Sequence, residues 1–198
     1  MDRGRRLEDR VAVVTGGAQG IGLGIGTRLA EEGAIVILAD IAFDKAKDSA
    51  ARLVEQGHRV GAAKVDIADQ ASVTALARQV DEAHGRCEIL VNNAAVGADT
   101  QIETMSFESY QRVIGINQDG AVRMVMAFVP LLKKAGEGRR ILNIASILGL
   151  RGWPNQIAYA TAKGGLVNFT RALACDLAQH NIMVNAIAPG FVDTPMSL

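Results

Sequence analysis

A chain of 198 residues, 49% hydrophobic and only 4% aromatic, has the size of one domain whose core must be packed by Ala, Val, Ile and Leu. Lys plus Arg and Asp plus Glu balance at 21 each, so the electrostatic footprint of a nucleic-acid binder is missing. The apolar runs are too short for a membrane span, and Leu7-Glu8-Asp9-Arg10 interrupts any secretory leader, so a cytoplasmic protein is expected.

The Arg3, Arg5 and Arg6 cluster at the start reads as a solvated tail. Residues 11–15 then form a short apolar run that stops in a glycine cluster, as a buried parallel strand does. Ile21, Ile25 and Leu29 recur every fourth residue and mark a helix. Gly24 and Gly26 lie inside it at about 1 kcal/mol each relative to alanine, which predicts close packing of this helix rather than a ligand role. Residues 34–39 read as a second strand ending at Asp40, and 44–56 as a helix with Ala46, Ala50 and Leu53 inward. Residues 59–65 make a third strand with Asp66 just beyond it, and Val73, Leu76, Ala77 and Val80 mark the next helix. Residues 89–91 run into Asn92-Asn93, and a long helical region of about 106–135 carries Val113, Ile116, Asn117, Met124 and Phe128. A fifth strand over 140–144 stops near Ser146, a helix covers 157–179, and a sixth strand over 183–187 leads to Pro189-Gly190.

Strands that alternate with helices, each strand a continuous apolar run, predict an α/β fold with a doubly wound, Rossmann-type parallel sheet covered on both faces. Nothing marks a linker or repeat, so residues 1–198 read as a single dinucleotide-binding and catalytic domain. The polar and glycine-rich residues fall just after strand ends. In such sheets the ligand crevice lies outside the carboxyl ends of the strands, so six strand ends converge on one expected site.

Two constellations there carry chemistry. Thr15-Gly-Gly-Ala-Gln-Gly20-Ile-Gly22, between the first strand and first helix, suits a pyrophosphate: glycines permit the sharp turn, and the helix N-terminus favours an anion. Asp40 at the second strand end can accept hydrogen bonds from a ribose 2′-hydroxyl and repel a 2′-phosphate, while neither Gln19 nor Ile41 offers a cation, so NAD is expected over NADP. Tyr159 and Lys163 are four residues apart and share a helix face. The ammonium is expected to favour the phenolate and lower the tyrosine pKa from about 10 towards neutrality, making it an acid/base catalyst. His58, His84 and His180 show no paired spacing, so no metal is expected, and Cys87 and Cys175 read as two reduced, small hydrophobic residues.

With these motifs the chain resembles the short-chain dehydrogenase/reductase family along nearly its whole length. The matching residues are the Thr15–Gly22 glycine pattern, Asp66, Asn92-Asn93-Ala94-Ala95, Asn117, Ser146, Tyr159-x-x-x-Lys163 and Pro189-Gly190-Phe-Val-Asp-Thr194. The resemblance implies that Gly16, Gln19, Gly20, Ile21 and Gly22 hold the cofactor phosphates. Asp66 and Ile67 would meet the adenine, Asn93 the adenosine side, and Val192 and Thr194, after Pro189 and Gly190, the carboxamide. Tyr159 would be general acid in carbonyl reduction and base in alcohol oxidation. Lys163 would lower its pKa and bond the nicotinamide ribose, and Ser146 would hold the substrate oxygen. Asn117 would kink its helix and position a water that relays protons to Lys163.

Two departures from the family pattern stand out: Ala95 replaces a usual glycine, and the sequence stops at Leu198, before an expected substrate lid and seventh strand. The expected function is an NAD(H)-dependent oxidoreductase acting on a small-molecule secondary alcohol or ketone. The alternatives are a 3-oxoacyl thioester ketoreductase and a catalytically silent NAD-sensing module. Specificity would come from around Ala95-Val96-Gly97, Leu148–Trp153 and Gln156, and a homodimer or homotetramer would use the helices at about 106–135 and 157–179.

Overall fold

All five residues of β1 (Val11–Thr15) are buried, which places this strand at the centre of the molecule. The computed structural model describes residues 5–97 and 100–194. After β1 come α1 (Gly20–Glu31), β2 (Ile35–Asp40), α2 (Phe43–Glu55), β3 (Val60–Lys64), α3 (Gln70–His84), β4 (Ile89–Asn92), α4 (Phe107–Asn117), α5 (Asp119–Lys134), β5 (Arg140–Ile144), α6 (Ile157–Leu177) and β6 (Met183–Ile187). The strands form one parallel sheet in the order β3-β2-β1-β4-β5-β6. Val13 lies between Ile37 of β2 and Leu90 of β4. The strand order reverses between β1 and β4, and that is where a doubly wound sheet opens its crevice.

Alternation along β1 feeds two cores. Val11 and Val13 join Leu76, Met124, Phe128 and Leu177 on the face covered by α3, α5 and α6. Ala12 and Val14 join Ala30, Ala50 and Leu53 on the face covered by α1 and α2. The expected two-sided parallel sheet is the one observed. At the far edge β6 exposes Met183 and Ile187 by about half.

Several expectations are corrected. The long helical region expected over about 106–135 is resolved into two helices, broken at Gln118, whose backbone (φ −111°, ψ −62°) leaves the helical path. The last helix stops at Leu177 and tightens into a 3-10 turn, Ala178–His180. Close packing of α1 holds for Gly26, where a methyl group would strike Leu38, but Gly24 faces open space. Arg6 is exposed but not a free tail residue: its guanidinium grips the buried Glu32 at 2.9 and 2.7 Å. Arg5 remains exposed, and Arg3 lies outside the described residues. Cys87 is buried, with its thiol pushed up to about 12 by that burial, and Cys175 is exposed.

The amino ends of the strands are closed by charge. Arg28 joins Arg6 on Glu32. Beside them, buried Glu88 receives Arg86 at 2.8 Å and the Val11 N–H at 2.8 Å.

Candidate active site

The turn from β1 into α1 needs glycine. Gly16 and Gly20 take φ of +64° and +55°, the left-handed region, and a methyl on Gly22 would run into the Gly16 carbonyl. Residues just beyond β4 hold this turn in place. Asn93 Nδ2 donates to Thr15 O at 2.9 Å and to Gly16 O at 3.2 Å, while Thr15 Oγ1 accepts from the amides of Asn93 and Ala94 at 3.0 and 3.1 Å. The Asn93 amide expected on the adenosine side is thus spent on the loop itself. Gln19 is exposed and bonded to Lys45, and Ile21 is half-buried on the first turn of α1.

Asp40 ends β2 as expected. Its carboxylate accepts from Ala18 N–H at 3.0 Å, tying it to the glycine turn, and from Ala42 N–H at 2.9 Å. Asp66 follows β3 and accepts from Ala68 N–H at 2.9 Å. Ile67 corrects its expectation: its side chain is buried against Gly120 of α5, so only its main chain is left to meet an adenine. Beyond β6, Pro189 O accepts from Ile147 N–H at 3.0 Å, Gly190 and Val192 are exposed, and Thr194 comes back against Gly20. The segment after β6 therefore returns to the glycine turn.

The reactive side chains gather at the carboxyl ends of β4 and β5. Ser146 follows β5 and caps the short turn Ile147–Gly149, its Oγ accepting from Leu148 N–H at 3.1 Å. That turn lies directly on α6: a methyl on Gly149 would sit 2.6 Å from the Lys163 carbonyl carbon. The contact brings Ser146 to Tyr159, and the two side chains are hydrogen-bonded. Lys163, 2% exposed, donates from Nζ to Ile144 O at 2.7 Å and lies 5.7 Å from the centre of the Tyr159 ring.

The electrostatics reverse one expectation. Burial pushes the Tyr159 phenol above its ordinary value, and the Ser146 hydrogen bond only partly offsets this. Burial also acts on Lys163, whose ammonium drops to about 8. The pair is a protonated phenol beside an easily deprotonated ammonium.

Asn117, 2% exposed, ends α4 at the helix break, as the expected kink requires. Its side chain clamps one residue: Oδ1 accepts from Val96 N–H and Nδ2 donates to Val96 O, both at 2.8 Å. Beneath these groups runs a polar chain that the sequence reading missed, from Asn92 Nδ2 to Asn143 Oδ1 and from Asn143 Nδ2 to Thr170 Oγ1. Asn143 and Thr170 carried no signal of their own, since each matters only through residues distant in sequence.

The mouth of the crevice is tied across. Thr100 N–H donates to Asn155 O at 2.9 Å, and Thr100 forms a parallel bridge with Gln156, linking the loop before α4 to the start of α6. Ala95 is half-buried beside the crevice, and Trp153 is 51% exposed with Arg151 against its ring. No helix of the described residues is long and apolar enough to cross a membrane.

Known proteins are similar to this chain in sequence and fold. A family model described as short chain dehydrogenase matches residues 10–198. Galactitol 2-dehydrogenase of Agrobacterium fabrum is 42% identical over 188 residues, 95% of this chain and 72% of that protein. A 3-oxoacyl acyl-carrier-protein reductase of Chlamydia muridarum is 38% identical over 192 residues, 96% of this chain and 77% of that protein. Among solved structures, levodione reductase superposes with a TM-score of 0.92 at 34% identity, over 97% of this chain and 75% of that one. A dehydrogenase/reductase from Sinorhizobium meliloti superposes equally well, at 33% identity over 98% of this chain and 76% of that one.

Proposed function

The chain belongs to the short-chain dehydrogenase family of oxidoreductases, whose members generally use NAD or NADP, and from that premise we propose that it interconverts a secondary alcohol and a ketone with NAD(H). One observation carries the reading. A half-buried phenol bonded to Ser146 shares a helix face with a buried lysine held by a carbonyl rather than a carboxylate, beside a glycine turn with no room for side chains.

Gly16, Gln19, Gly20, Ile21 and Gly22 would seat the pyrophosphate, and Asp40 the adenosine ribose. Asp66, the Ile67 main chain and Asn93 would border the adenosine, with Pro189, Gly190, Val192 and Thr194 around the carboxamide. Tyr159 and Lys163 would bond the nicotinamide ribose. When bound, the nicotinamide supplies the hydride donor or acceptor. In reduction, Tyr159 gives its proton to the substrate oxygen as negative charge develops there, and Ser146 stabilises the same oxygen by hydrogen bonding. The raised phenol suits this acid role at neutral pH. In oxidation the phenolate takes the alcohol proton, and Lys163 exchanges protons with the phenol.

Asp40 supports NAD over NADP, because its carboxylate would repel a 2′-phosphate. The galactitol dehydrogenase relative supports a polyol or other small alcohol as substrate. A second reading, a 3-oxoacyl thioester ketoreductase, is favoured by the Chlamydia relative. We place the protein in the cytoplasm as a homodimer or homotetramer; Phe107 and Met126, each 68% exposed on α4 and α5, support a helix-mediated interface.

The test is an oxidation screen of polyols, sugars, cyclic alcohols and 3-hydroxyacyl thioesters, each with NAD and NADP. Turnover of a small alcohol with NAD is expected. A strong NADP preference would overturn the Asp40 argument, and turnover of thioesters alone would establish the second reading. Tight NADH binding with no turnover of any substrate would favour a sensor.

A further inference from the structure

Ala18, 2% exposed, stands in the turn from β1 into α1 and is held by side chains at both its N–H and its carbonyl. The N–H donates to Asp40 Oδ2 at 3.0 Å, and the carbonyl accepts from the Ser49 hydroxyl at 3.0 Å. Ser49 comes from α2, where it is buried with Ala46, Ala50 and Leu53 on the inward face of the helix. A serine inside a helix can return its hydroxyl to the carbonyl four residues back. Ser49 instead leaves its own helix for a carbonyl 31 residues earlier in the chain.

Arg52, three residues further along α2, fixes which way that hydroxyl faces. Its Nη2 donates to Ser49 Oγ at 2.9 Å. A guanidinium only donates, and a hydroxyl has a single proton, so the serine proton is directed to Ala18 O. The two bonds on Ala18 act on different peptide units, joined at its Cα by two soft dihedrals. Asp40 holds the unit between Gly17 and Ala18, and Ser49 holds the unit between Ala18 and Gln19. Because that second peptide is planar and trans, the Gln19 N–H points opposite to the Ala18 carbonyl. Holding the carbonyl against α2 therefore turns the Gln19 N–H away from α2. Gln19 is the N-cap of α1 and makes no side-chain cap of its own, so the first amides of the helix remain open to an anion.

We propose that Ser49 is a positioning residue for the cofactor pyrophosphate: it locks the Ala18–Gln19 peptide so that the Gln19 N–H faces the phosphate seat, and Arg52 orients the lock. The inference rests on the proposed seating of NAD(H) at the glycine turn. Ser49 acts through Ala18 and not on the cofactor itself, so its effect belongs to cofactor affinity and leaves the hydride and proton steps alone.

Two variants of the full-length protein test this. Ser49→Ala removes the hydroxyl and puts the strongest helix former in its place. Arg52→Ala alters only an exposed side chain and frees the hydroxyl to rotate. Calorimetric titration with NADH is expected to show Kd raised about tenfold in Ser49→Ala, near the upper end of what one hydrogen bond contributes, and about threefold in Arg52→Ala. In the nucleotide-free protein, amide hydrogen exchange at Ala18 and Gln19, read by NMR, is expected to quicken at least about tenfold in Ser49→Ala. Val13 and Val14 in β1 should keep their wild-type rates, which a merely structural role would not allow. Unchanged NADH affinity in Ser49→Ala overturns the proposal, and so does exchange that quickens equally throughout β1. If Ser49→Ala does not fold, unchanged NADH affinity in Arg52→Ala overturns it. Wild-type protein that binds neither NADH nor NADPH would overturn the dinucleotide reading itself, and this proposal with it. Wild-type binding that Ser49→Ala matches overturns this proposal alone.

Discussion

Glu32 and Lys163 are both buried charges, placed at opposite ends of the sheet and treated in opposite ways. At the amino ends of the strands, Glu32 receives Arg6 and Arg28, which hold its carboxyl down at about 2. At the carboxyl ends, Lys163 receives a carbonyl, and burial drops it to about 8. Both pKa values are depressed, yet the consequences differ. For the acid, depression means that the folded state favours the charged form, which stabilises the fold at neutral pH. For the lysine it means that the folded state disfavours the charged form, which costs stability at neutral pH. The fold spends counter-charges at Glu32 and withholds them at the proposed site of proton transfer.

The contrast can be broken by mutation, beginning at the reactive end. Tyr159→Phe is expected to lower kcat by about 10²–10⁴-fold, the usual contribution of a positioned acid/base group, while NADH affinity measured by calorimetry stays near wild type. Retained turnover would remove the phenol from the mechanism. Lys163→Met should also abolish useful turnover but raise the unfolding free energy in urea, by on the order of 1–4 kcal/mol, as when other buried ionic groups give way to apolar ones. A loss of stability instead would mean that the ammonium is well solvated by its surroundings. Glu32→Gln should do the reverse, lowering the thermal midpoint while leaving kcat unchanged.

The pH dependence sharpens the same contrast. Lys163 binds its proton more weakly folded than unfolded, so stability should rise with pH between about 8 and the ordinary lysine value of 10.5. Glu32 titrates lower folded than unfolded, so its contribution is present above 4.5 and is lost as pH falls towards about 2. Urea titrations across pH should lose the alkaline rise in Lys163→Met and the acid fall in Glu32→Gln. Unchanged limbs would show that other groups carry them. Smallest of all, Arg6→Ala should lower the thermal midpoint less than Glu32→Gln, because Arg28 remains on the carboxylate and Arg6 is itself largely exposed.

What the sequence made legible was local or periodic. The strand cores, the glycine turn, Asp40 at a strand end and the four-residue spacing of Tyr159 and Lys163 are all short-range patterns, and the structure places them together. What it hid depends on distant partners. The break at Gln118 sits where Gly165 of α6 presses against that side chain, which helical periodicity over 106–135 does not register. The direction of the Tyr159 shift follows from burial by elements that a spacing rule does not see. Asn143 and Thr170 read as polar residues inside apolar runs until β5 and α6 bring them face to face. Arg6 looked like a free tail because Glu32 lies 26 residues away.

The bonds from Asn93 to Thr15 and Gly16 also bear on how the protein is made. The turn that would receive the nucleotide is held by an amide 78 residues later in the chain. At roughly 5–20 residues per second of synthesis, the turn leaves the ribosome about 4–16 s before its fastener. Through that interval the segment from β1 to α3 can tie the turn only from the β2 and α2 side, at Gly17 and Ala18, and lacks the bonds that fix Thr15 and Gly16. Assembly of the seat must await β4.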